Sequence, residues 1–155
     1  MHARLTVMGM NISLRKVEAM IAALREKFKV YYGWQADALD KCIRCGYVES
    51  PILGRKRWLG HSPKPPEAAN FPIQSGAADA FNVKSIEIAR RFKAAKLDAK
   101  IVAGVYDSLM VDTAEKDVDA VSTIARDVWS QPVLLGGREV VLPIDLKIGD
   151  RWSET

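Results

Sequence analysis

The 155-residue chain reads as an α+β domain, a small antiparallel sheet backed by long helices. Three observations predict this. Apolar residues recur at helical spacing over about 13–31 and 77–96. Short extended runs come in adjacent pairs separated by turn residues. The element order is helices, hairpin, long helix, two strands, helix, strands, with no internal repeat.

Leu14, Val17, Ile21, Leu24 and Phe28 form one apolar face, with Arg15, Lys16, Glu18, Arg25 and Lys27 elsewhere on the helix. Asn11 or Ser13 can cap it. Gly33 is expected to interrupt, and a second helix is expected from Trp34 to Cys45, ending at Gly46. Tyr47–Ser50 and Arg57–Leu59 read as a hairpin joined through Pro51 and Gly54. His61 to Pro66 reads as a proline-rich, mobile connector.

A long helix is expected from Ala77 to Lys96, with Ala78, Phe81, Ile88 and Phe92 near one face. Lys100–Tyr106 and Leu109–Val111 are apolar strands, so Asp107 and Ser108 fall at a tight hairpin tip. A helix follows from Ala114 to about Trp129, capped by Thr113, with Val118, Val121, Ile124, Ala125 and Val128 inward. After Gly136-Gly137, the stretch 139–148 is strand-rich.

Composition bounds the function only loosely. The chain is 48% hydrophobic and 27% charged, enough for one domain with a core and unlike a disordered segment. A net charge of +4 is compatible with nucleic acid and common elsewhere. Cys42 and Cys45 form a CxxC, but the histidines are only His2 and His61, and there is no second CxxC to complete a zinc site. These are expected to be two thiols in the last turn of a helix, in a reducing compartment. Met1 to Met10 carries Arg4 and no small-residue cleavage pattern, and no apolar run has the length of a membrane span. A soluble, intracellular protein is expected.

An acid between two apolar strands is either a turn-former or a metal ligand, and Asp107 is open to both readings. Asn70 and Gln74, four residues apart, share a helix face; Asn70 can cap and Gln74 can lie on the surface. Arg55, Lys56 and Arg57 are the densest basic cluster, suited to phosphate contact or to a solvated turn.

Four segments, Gly46 to Arg57, Asn70 to Asp79, Val105 to Ser108 and Ile144 to Trp152, in that order, resemble the polymerase domain of family A DNA polymerases. Gly46-Tyr47-Val48-Glu49-Ser50 with Gly54-Arg55-Lys56-Arg57 is similar to that family's basic hairpin. Asn70-Phe71-Pro72-Ile73-Gln74-Ser75-Gly76-Ala77-Ala78-Asp79 resembles the start of its palm helix. Val105-Tyr106-Asp107-Ser108 falls where the family has its third catalytic motif, and Ile144 to Trp152 resembles its closing strand. Together they cover residues 46–152. Residues 11–45 fit the preceding helices less diagnostically. The resemblance implies the C-terminal part of a polymerase domain over 1–155, with fingers-side helices over 1–46 and the palm-side hairpin, helix and sheet over 47–155.

It also implies a mechanism. The family adds deoxynucleotides to a primer 3′-hydroxyl with two Mg2+ ions, held by two aspartates. Asp107 matches one as metal ligand, with Tyr106 and Ser108 beside it where His and Glu are usual. Asn70 and Gln74 match amides that face the minor groove of duplex DNA, and Arg55, Lys56 and Arg57 would meet phosphates. No Asp-Tyr/Phe-Ser-x-x-Glu segment is present for the first aspartate. Arg25, Lys29 and Tyr32-Gly33 are a decoy for the nucleotide-binding helix, because Lys29 lies too close to Tyr32 and the apolar face through Leu24 and Phe28 belongs to a structural helix.

The expected partners are therefore primer–template DNA, dNTP and a complementary N-terminal fragment of a split, phage-type polymerase, in the host cytoplasm, with no membrane. A catalytically decayed palm fragment, acting as a nucleic-acid-binding or structural module, is the alternative. A remnant that folds only when docked to a partner is a third.

Overall fold

Ser13 opens the first helix as its N-cap, its hydroxyl 3.4 Å from the Lys16 N–H, in the computed structural model, which describes residues 12–151. Asn11, the other expected cap, lies outside the described residues. The chain divides into two units. Among the described residues, one takes in those up to 48 with 58–69, the other 49–57 with those from 70 on.

In the first unit, α1 spans Leu14–Lys27 and α2 spans Lys29–Cys45. The break falls at Phe28 (φ −113°, ψ 37°), not at Gly33, which lies inside α2. A single glycine costs a helix about 1 kcal/mol, too little to end one that is otherwise well formed. Of the expected apolar face, Val17 is buried, whereas Leu14, Leu24 and Phe28 are 55%, 41% and 50% exposed. α2 ends at Gly46 in the left-handed region, its N–H bonded to Cys42 O at 2.7 Å.

Leu59 and Gly60 both donate to Gly46 O at 2.9 Å, and the His61 ring nitrogen Nδ1 lies 2.6 Å from Ile43 O. The start of the expected mobile connector is thus anchored. Its end is helical, because α3 runs over Pro65–Ala94 and starts well before the expected Ala77. Proline suits a first helical turn, where its missing N–H has no intrahelical partner anyway. Pro72 lies inside α3, where it removes the donor that Ala68 O would otherwise accept.

The short strands β1 (Tyr47–Glu49) and β2 (Lys56–Trp58) form the expected hairpin. In the second unit, β3 (Ala99–Val105) and β4 (Ser108–Thr113) pair antiparallel, and α4 (Val118–Ser130) follows a 3-10 turn at Glu115–Asp117. Thr113 is not the cap. Its hydroxyl bonds Asp98 O at 3.1 Å, and the Asp117 carboxylate accepts the Asp98 N–H at 3.0 Å.

The core is Ile88, Phe92, Val121 and Val128, with Ile101, Leu109 and Val111 packed against it from the sheet. Val121 and Val128 are inward as expected, but Ala78 is exposed. The buried row of α3 instead runs through Ser75, Asp79, Ala80, Lys84, Ile88 and Phe92.

The tail differs from expectation. A strand β5 (Val133–Leu135) precedes the glycines and pairs with β6 (Arg138–Val140), leaving 141–149 without regular structure. Gly136 and Gly137 both have positive φ (56° and 79°), as a two-residue hairpin turn of this hand requires. Among the described residues no helix is long and apolar enough to cross a membrane.

Candidate active site

The β3–β4 hairpin turns on two residues. Val105 pairs with Ser108, so Tyr106 and Asp107 form the turn, and Ser108 is the first residue of β4 instead of part of the tip. Tyr106 takes φ 56° and its side chain is 99% exposed. A tyrosine in this region costs about 1–2 kcal/mol, and its exposed ring returns little packing. Between Ile101 and Ala103 the register shifts in a bulge, and Val102 there is 56% exposed. Such a bulge increases local twist and re-aims what lies beyond it.

Asp107 is exposed at this tip and has no ion pair among the described residues. No group of three or more His, Cys, Asp or Glu able to hold a metal occurs among the described residues. One carboxylate fits a share in a magnesium site, because that ion takes one or two carboxylates with water and substrate oxygens. It does not make a site by itself.

Asn70 and Gln74 are both exposed on α3, one turn apart on the same face. Asn70 lies in the second turn of a helix that starts at Pro65, so it does not cap. The Ala68 N–H and the Glu67 N–H instead meet Lys64 O.

The basic cluster is more structural than its charge suggests. Arg55 donates from Nε to Asp79 Oδ1 at 2.8 Å, and its Nη2 closes a second contact to the same oxygen. The Arg57 guanidinium lies 5.8 Å from the centre of the Phe71 ring, and Lys56 Nζ is 4.0 Å from a Glu49 oxygen. The three cations are thus divided among three local partners.

Two charged residues on the buried row of α3 were not singled out from the sequence. Asp79 is fully buried. Burial pushes its carboxyl up, but hydrogen bonds from the Ser50 hydroxyl, Arg55 and the Leu53 N–H outweigh this and hold it below the usual carboxylate range. An acid among the small residues of Gly76-Ala77-Ala78-Asp79-Ala80 was the available signal. Lys84 Nζ donates to Val128 O at 2.8 Å and Gln131 O at 2.7 Å, and stands 5.7 Å from the Trp129 ring centre. It closes the C-terminus of α4, and burial lowers its pKa.

Cys42 is buried and Cys45 exposed, both in the last turn of α2 as expected. Burial, helped by Cys45, pushes the Cys42 thiol up, which leaves it unreactive.

Residues 2–154 match the family model for DNA polymerase family A. DNA polymerase I of Bacillus caldotenax is 26% identical over 155 aligned residues, covering 94% of this chain and 17% of that protein. The thermostable DNA polymerase I of Thermus aquaticus is 25% identical over 150, covering 91% and 17%. The chain thus spans about a sixth of the length of these relatives. Among solved structures, the POL domain of Pol1 from M. smegmatis, in complex with DNA primer-template and dNTP, superimposes with a TM-score of 0.66 at 26% identity. That match covers 76% of this chain and 22% of the other.

Proposed function

The chain belongs to DNA polymerase family A, and from that membership we propose that it is the C-terminal part of a split polymerase domain, contributing to templated, magnesium-dependent nucleotidyl transfer. In this reading residues 1–46 belong to the fingers side and 47–155 to the palm side. The observation that carries the reading is Asp107, an exposed carboxylate at the tip of a two-residue turn.

Asp107 supplies one metal ligand. In this reading the other catalytic aspartate and the nucleotide-binding helix come from a complementary chain. Asp107 and the second aspartate would hold magnesium, which would supply activation of the primer 3′-hydroxyl and charge stabilisation at the attacking and leaving oxygens. Tyr106 presents its ring and hydroxyl beside that carboxylate, and Ser108 flanks it without adding charge. Asn70 and Gln74 face the minor groove, where their amides can meet acceptors common to all base pairs. Lys56 and Arg57 meet phosphates, while Arg55 holds the hairpin.

Primer extension with magnesium tests this. The chain is assayed alone and mixed with a fragment bearing the missing aspartate and helix, as wild type and Asp107→Ala. Extension only in the mixture, lost in the variant, is expected. A stable complex without extension would leave the second reading, a catalytically decayed palm module that binds nucleic acid. That reading is favoured by Tyr106 and Ser108 standing where the family usually has His and Glu.

A further inference from the structure

The elbow between α1 and α2 concentrates two kinds of side chain in ten residues. Arg25 and Lys27 lie in the last turn of α1, and Lys29 is the first residue of α2. All three are exposed, and none has an ion pair among the described residues. Glu26 is the one acid between Arg25 and Trp34, with Asp37 a turn further on.

Among these cations stand Phe28, Tyr31 and Trp34, each at least a third exposed. Tyr31 and Trp34 are stacked, centroids 6.0 Å apart and planes 27° apart. Gln35 Nε2 donates to the Tyr31 hydroxyl at 2.8 Å and fixes that ring. Lys27 Nζ lies 5.7 Å from the Phe28 ring centre.

A cluster of exposed aromatics rimmed by polar residues marks an interaction site. A purely apolar partner would leave the three cations without counter-charges. Aromatic faces interleaved with unpaired cations match single-stranded nucleic acid, whose bases stack and whose phosphates need positive charge. A ring already held by a hydrogen bond loses less freedom when a base stacks on it.

We infer that this elbow is a contact site for single-stranded nucleic acid, with Tyr31 and Trp34 as the stacking platform and Arg25, Lys27 and Lys29 on the phosphates. The inference rests on the polymerase reading only for its choice of ligand. It uses different residues from Asp107, Asn70 and Gln74.

The test is fluorescence anisotropy of the intact chain with a labelled oligo(dT) of about twenty nucleotides and with a duplex of equal length. No magnesium, nucleotide or second chain is added, so a failure of primer extension leaves this test standing. Tyr31→Ala and Trp34→Ala are each expected to weaken oligo(dT) binding by roughly fivefold to a hundredfold. Trp34→Phe, which keeps an aromatic face, should retain most of it, and duplex binding should change little. Lys27→Gln and Lys29→Gln should each flatten the salt dependence by about 0.7 in log–log slope.

Circular dichroism confirms that each variant is folded. Folded Tyr31→Ala and Trp34→Ala chains that bind oligo(dT) like the wild type would overturn the inference. So would a wild type that binds only duplex. Self-association by light scattering, abolished by Trp34→Ala and not displaced by oligo(dT), would assign the elbow to a protein partner instead.

Discussion

The guanidinium of Arg55 grips the fully buried carboxylate of Asp79, with Nε 2.8 Å from Oδ1, while the other carboxylate oxygen accepts the Leu53 N–H at 3.1 Å. Ser50 completes the arrangement. Its hydroxyl accepts the Arg55 N–H at 2.9 Å, and its backbone pairs with Arg55 O and Gly54 N. One acid on α3 therefore fixes both the path of the loop between β1 and β2 and the identity of its first cation. Arg55 is itself half exposed, so the pair is dry at one end and wet at the other.

Removing that acid should loosen the hairpin. Asp79→Asn is expected to lower stability by about 2–4 kcal/mol, because a charge-assisted network loses its anion inside the fold. The pH dependence has a definite sign. Asp79 has a folded pKa below its unfolded value of about 3.9, so its contribution is complete above that value. It is lost as pH falls through the lower folded pKa. Urea denaturation of both proteins at neutral pH and below pH ~4 should show the gap between them narrowing in acid.

Gly76 sets a second constraint at the same loop. A Cβ built there would come 2.9 Å from Cγ of Pro51 and 3.6 Å from a Leu135 methyl. Alanine normally improves on glycine in a helix by about 1 kcal/mol. Here the proline ring cannot swing aside, so Gly76→Ala is expected to be net destabilising by about 1–3 kcal/mol. A raised melting temperature in a thermal scan would show that the loop yields at no cost.

The contrast between legible and illegible features follows from which forces are local. The order of elements was readable because hydrophobic spacing and turn residues act over a few positions. The Asp107 tip was placed within one residue for the same reason. Tyr106 reads as the end of an apolar strand, and the pairing of Val105 with Ser108 puts it in the turn instead. From the sequence the long helix starts too late, at Ala77, because Pro65 and Pro66 read as part of a proline-rich connector, and Pro72 lies inside the helix as well. The first two occupy positions where no donor is needed, and the third is carried by the turns on either side. Phe28 carries no local signal for a break. Arg55 and Asp79 are 24 residues apart, and only the folded chain brings them together.

Lys84 gives a prediction with the same pH sense at the alkaline end of the scale. Its ammonium bridges the carbonyls of Val128 and Gln131 with no carboxylate partner among the described residues, so Lys84→Met removes two hydrogen bonds from the end of α4. A loss of about 1–2 kcal/mol at neutral pH is expected, the lost bonds outweighing relief of the buried charge. Because the folded pKa is depressed, the unfolded chain binds more protons between that value and about 10.4. The wild type therefore gains stability relative to Lys84→Met as pH rises through that window. Denaturation curves at pH ~7 and ~10 should show the difference widening.

Tyr106 separates fold from function most directly. Its backbone occupies the left-handed region at φ 56°, and its side chain is almost wholly in solvent, so the folded chain gains little from it. Tyr106→Gly should relieve the strain and raise stability by about 1 kcal/mol, net of the extra freedom glycine brings to the unfolded state. If the ring acts beside Asp107 on the primer terminus, the same change should lower extension by the reconstituted polymerase roughly tenfold to a hundredfold. Tyr106→Phe keeps both the strain and the ring and removes only the hydroxyl. An intermediate rate in the phenylalanine variant would divide the effect between stacking and hydrogen bonding. Undiminished extension by the stabilised glycine variant would mean that the strained tyrosine has no part in the reaction.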